Sequence, residues 1–89
     1  MKELQEIRAN TQMLARGAQC LLDKPQVQAR TPLAKEVRKY LICGLHHADR
    51  VVACIREGED YRYHFDLMND NLDTAHRRVR DLRHYENLA

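Results

Sequence analysis

The sequence predicts an all-α protein, an antiparallel three-helix bundle with heptad-like seams, in which helices two and three form a long hairpin and helix one folds against it. Three observations predict this. Apolar residues recur in alternating three- and four-residue steps along three segments. Helix-breaking residues fall between those segments, and nowhere does the chain alternate at the period of two that a strand requires. A chain of 89 residues has room for one modest core, so residues 1–89 read as a single domain.

Helix one is expected at about 2–22, with Leu4, Ile7, Thr11, Leu14, Ala18 and Leu21 as its seam. Asp23-Lys24-Pro25 ends it, because proline cannot continue a helix. Residues 23–30 read as a linker. Thr31-Pro32 opens helix two, at about 32–57: the hydroxyl can cap free backbone N–H groups, and proline at the first helical position gives up no needed donor. Its seam is Ala34, Val37, Leu41, Gly44, Ala48, Val51 and Ile55, and Gly58 stops it. Asp60 then caps helix three, at about 61–87, with Tyr61, Phe65, Met68, Leu72, Ala75, Val79 and Leu82 in the seam. The connection at Gly58–Asp60 is so short that helices two and three must run antiparallel. Ala18, Gly44, Ala48 and Ala75 imply close backbone approach at those levels. Gly44 costs about 1 kcal/mol of helix propensity relative to alanine, which close packing would justify, a local kink being the other option.

Composition excludes several functions. The chain has no serine, so no serine nucleophile is available. Gly17, Gly44 and Gly58 are isolated and cannot form a phosphate-cradling loop. The longest apolar run, Tyr40–Leu45, is far too short to cross a bilayer, and no membrane partner is expected. Met1-Lys2-Glu3-Leu4 is polar and runs into periodic sequence, so no secretory signal is expected. Three cysteines without dense spacing suit a reducing, cytoplasmic setting better than a disulfide scaffold.

Two surfaces depart from an ordinary solvated bundle. With Leu4 and Ile7 in the seam, Gln5, Gln12 and Gln19 share one outer position and Met13 and Cys20 the next. Between Arg8 and Asp23 only Arg16 is charged. An exposed helix face normally carries many Lys and Glu, so this one is a candidate protein interface. Ile42, Leu67 and Leu88 also fall on outward positions.

The second surface is His76–Tyr85, where Arg77, Arg78, Arg80 and Arg83 stand with His76, His84 and Tyr85 and one acid, Asp81. Guanidinium forks suit phosphates and carboxylates. Against a ligand role, cations near a helix C-terminus complement its dipole, Asp73 can pair with Arg77, and Asp81 can pair with Arg77 or Arg78. The first half of helix three is acidic, with Asp60, Asp66, Asp70 and Asp73, an order of charge that also suits antiparallel self-pairing and a homo-oligomer. Tyr63 falls on the outer face and is a contact candidate, whereas Tyr61 belongs to the seam.

The chain offers little catalytic chemistry. Cys43, His47 and Cys54 share a side of helix two, but Cys54 lies roughly 16 Å along the axis from Cys43, too far to share one ion. Arg78 and His84 project roughly 240° apart around a straight helix. No catalytic residue, metal or cofactor is therefore assigned. The expected function is a non-enzymatic helical interaction protein of the accessory or inhibitor type. It would bind a larger protein or nucleoprotein through Arg77, Arg78, Arg80, Arg83, His84 and Tyr85, and through Gln5, Gln12, Met13 and Gln19. The alternative is nucleic-acid binding, RNA or DNA, by the same arginines, which a pI near 8.5 disfavours.

Overall fold

The computed structural model describes the backbone of residues 2–88 and the side chains of 2–83. It consists of three helices, α1 (Lys2–Leu22), α2 (Pro32–Glu57) and α3 (Arg62–Leu88), with no strand among the described residues. They run up, down and up in a rod of 50 × 18 × 17 Å. The all-α three-helix architecture follows the sequence, with boundaries within a residue of those expected.

Local chemistry sets the boundaries. Thr31 has extended backbone (φ −82°, ψ 154°), and its Oγ1 accepts from the amide of Ala34 at 3.2 Å. At the other end of α2, Gly58 takes the left-handed conformation at φ 73°. Its amide and that of Glu59 donate to the carbonyls of Ile55 and Cys54, closing the helix with the pair of hydrogen bonds that a left-handed residue permits. Asp60 Oδ1 accepts from the amide of Arg62 at 3.0 Å, while the Arg62 guanidinium folds back onto both carboxylate oxygens. That guanidinium and the Arg62 amide hold the Asp60 carboxyl below its usual range.

The central helix is α2, whose seam residues Val37, Leu41 and Val51 are wholly buried with Met68 from α3. Gly44 lies so close to α3 that a Cβ placed there would sit 2.5 Å from Leu72 Cδ2, as the small-residue pattern implied. The Arg78 guanidinium reaches Glu36 across the α2–α3 interface at 3.4 Å. Both partners are substantially exposed, so this tie contributes only about 0.2–1 kcal/mol.

Helix α1 is held less firmly, and here the seam expectation needs correcting. It packs mainly on α2, and only Thr11 and Ala18 of its seam are buried. Leu14 remains 38% exposed because α1 and α3 barely meet along their length. Thr11 is buried, and its Oγ1 has no hydrogen-bond partner among the described residues, which costs stability at the α1–α2 contact. Further corrections concern Ile55 and Tyr61, which are half-buried rather than core, and Leu67, which is half-buried rather than outward. Cys54 occupies the core in place of Ile55. Leu88 has no described side chain.

The linker contributes more than connection. Val27 enters the core at 2% exposure beside Val79 and Leu82. Arg38 Nη1 on α2 donates to the carbonyls of Val27 and Ala29, at 2.6 Å each, and fixes the linker across the end of the bundle.

Candidate interaction surface

A straight helix turns about 100° per residue, so the arginines of α3 cannot form a single face. Arg77, Arg80 and Arg83 step round the helix in one direction by roughly 60° each and form a ridge. Arg78 lies on the other side of Arg77, directed to α2, where Glu36 engages it and Asp81 pairs with it at 3.6 Å. Arg78 is thus a tie between helices, yet it stays 45% exposed and lines one open hollow with Arg77 and Arg80, while Arg83 lies further round the helix. The alternative intrahelical pairing of Arg77 does not form: among the described residues neither Arg77 nor Arg80 has an ion pair, although Asp73 lies one turn before Arg77. Both guanidiniums are exposed.

The ridge ends at the linker. Lys24 and Gln26 stand beside Arg83 around a small pit of about 140 Å³ floored by Val27, Val79 and Leu82. The side chains of His84 and Tyr85 lie outside the described residues.

The same outer face of α3 is acidic in its first half. Asp66, Asp70 and Asp73 are exposed and make no ion pair among the described residues. Positions 66, 70, 73, 77 and 80 advance by alternating steps of four and three, so these carboxylates and the two guanidiniums form one longitudinal stripe. Tyr63, 69% exposed, lies at its N-terminal end.

On α1, Gln5, Gln12, Met13 and Gln19 are all exposed, with Met13 at 65%. Gln19 Nε2 donates to Asp23 Oδ1 at 3.1 Å, so its amide partly serves the helix end. Gln12 borders an open groove of about 360 Å³ between α1 and α2, with Ala15, Ala48, Val52 and Ala53 as its apolar lining. Ile42 is 55% exposed, as expected for its outward position.

The sequence left His64 without a role and set His47 beside Cys43 and Cys54. The structure instead brings His47 and His64 together across the α2–α3 interface. Their Nδ1 atoms are 3.0 Å apart, a distance at which one ring donates a shared proton to the other. His46 stands edge-on to His47, and Tyr63 edge-on to His64. Among the described residues no three His, Cys, Asp or Glu side chains gather as a metal site.

Burial, then the neighbouring charges of His46 and His64, lower the His47 pKa from the ordinary histidine value. The folded state therefore binds fewer protons than the unfolded state just below that value, and stability falls as the pH drops through and below about 6.5. The wild-type melting midpoint is expected to fall between neutral and mildly acidic pH. In His47→Gln that fall should shrink, and circular dichroism melts would check it; equal acid sensitivity in both proteins would remove the pair as its source.

Compared with models of known families, with curated proteins and with solved structures, the chain matches none.

Proposed function

We propose that the chain is a non-enzymatic interaction protein of the accessory or inhibitor type, which occupies an acidic surface of a larger protein or nucleoprotein. The observation that carries this reading is the Arg77–Arg80 ridge: two exposed guanidiniums on a rigid helix, without ion pairs among the described residues. The planar guanidinium fork can meet a carboxylate through two parallel hydrogen bonds, so such a ridge gives orientation as well as attraction. Arg83 and Lys24 extend the positive end, and His84 and Tyr85 follow Arg83 in sequence. The uncharged face of α1, with Gln5, Gln12, Met13 and Gln19, supplies a second and flatter contact. The three free cysteines suit a reducing, cytoplasmic setting.

Nucleic-acid binding is the second reading, favoured by the basic end formed with Lys24. The stripe on α3 opposes it, since a phosphate backbone laid along this face would meet Asp66, Asp70 and Asp73 as well as the arginines.

Affinity capture from the source cells, with the retained partner identified by mass spectrometry, tests the first reading. Arg77→Glu/Arg80→Glu should keep the helical spectrum and lose the partner by about two orders of magnitude in affinity. Retention by the reversed variant would overturn the proposal. Nuclease treatment before capture separates the readings, because only a nucleic-acid-mediated association disappears with it.

A further inference from the structure

The charges along the outer stripe of α3 are arranged symmetrically with opposite sign. Asp73 and Arg77 are equidistant from position 75, and so are Asp70 and Arg80. Asp66 and His84 continue the same register in sequence. If α3 is laid antiparallel on another α3 with a two-fold axis at position 75, each acid of one copy comes opposite a base of the other. At 1.5 Å rise per residue the inner pairs lie roughly 3 Å, and the outer pairs roughly 7.5 Å, along the helix from the axis.

Within one helix, Asp66 and Asp70 stand at i,i+4, Asp70 and Asp73 at i,i+3, and Arg77 and Arg80 at i,i+3, like charges that destabilise a helix and are offset in part by Asp73 and Arg77 at i,i+4. The helix dipole does not account for the carboxylates, because Asp66, Asp70 and Asp73 all lie beyond the first turn of α3, where its influence fades. All five charged groups are exposed, and none is paired among the described residues. A two-fold interface requires one patch to complement itself, and this stripe does so in sign and spacing.

We infer that the occupant of this face is a second copy of the chain, paired antiparallel through Asp70–Arg80 and Asp73–Arg77 contacts repeated by the two-fold axis. This rests on the reading of α3 as a contact surface and names one partner for it. The contacts are ionic and wet, so the pair is weak, forms at high protein concentration, and loosens with salt. It also covers Arg77 and Arg80, so self-pairing and capture of a larger partner exclude each other.

Sedimentation velocity of the full chain, from dilute to near-millimolar protein at low and physiological salt, tests the inference. The wild type should dimerise at low salt and do so about tenfold more weakly at physiological salt. Asp73→Arg sets arginine against arginine and should leave a folded monomer, with circular dichroism confirming the fold. The exchange Asp73→Arg/Arg77→Asp keeps composition and net charge, sets Arg against Asp again, and should restore the dimer. A monomeric wild type, a dimeric Asp73→Arg protein, or failure of the folded exchange variant to recover would each overturn the inference. Asp73→Arg keeps both ridge arginines, so it should still capture the larger partner. Loss of the dimer with capture intact separates this inference from the functional reading, which falls only if capture survives reversal of Arg77 and Arg80.

Discussion

Gly44→Leu is expected to abolish folding of the bundle, and Gly44→Ala to destabilise it by about 1–2 kcal/mol net of the helix propensity that alanine gains. The reason is the approach of α2 to α3. A single added Cβ would meet Leu72 Cδ2 at 2.5 Å and Cγ at 2.8 Å. Leu72 is itself 3% exposed and packed in the core, so its branch point cannot simply swing into solvent. A whole leucine at position 44 would force the helices apart along their main contact. A domain of this size has only about 4–13 kcal/mol of stability in total, so separating them exceeds what the fold can absorb. Urea titrations of the alanine variant and circular dichroism of the leucine variant measure both effects. An unchanged or raised midpoint for Gly44→Ala would show that Leu72 yields freely and that the close approach is not a constraint.

Val27→Asp is the second large effect, expected to destabilise the chain by several kcal/mol, with Val27→Ala costing about 1–3 kcal/mol. Val27 lies in the linker yet is 2% exposed and joins the core with Val79 and Leu82. A carboxylate there would stand among apolar side chains, with Arg38 already committed to the linker carbonyls and Lys24 and Arg83 at the rim of the pit above it. The linker is what brings α1 back across α2, and α1 contributes only Thr11 and Ala18 as buried residues. Undocking the linker should therefore free α1 before the α2–α3 hairpin opens. Amide exchange would read this as early loss of protection over α1, and equal loss across all three helices would contradict it.

The parts of the fold legible in the sequence were those set by local chemistry. Alternating three- and four-residue steps gave the helices; Thr31-Pro32, Gly58 and Asp60 gave their ends, and Gly44 the close contact. Val27 was not legible, because one apolar residue among polar neighbours carries no periodic signal. The His47–His64 contact was hidden for a different reason. It depends on how two helices are rotated about their axes and on their relative height, neither of which a single-helix pattern specifies. Leu14 kept its seam spacing but lacks the neighbour the spacing assumed, since α1 meets α2 far more than α3. The division of the arginines was present in the sequence: Arg77, Arg80 and Arg83 advance by threes, while Arg78 stands out of step.

The charged stripe links the fold to the proposed function. The α2–α3 packing that buries Met68, Leu72 and Ala75 turns Asp66, Asp70, Asp73, Arg77 and Arg80 outward together, so the core seam also fixes the proposed contact face. The measurement that tests this most directly is amide chemical-shift mapping of the isotopically labelled chain, titrated with the partner retained in affinity capture. Perturbations are expected to concentrate on the outer face of α3, from Asp70 to Arg83, and to be absent from the Arg77→Glu/Arg80→Glu variant. Perturbations confined to other surfaces, with the amides of α3 unmoved, would contradict it.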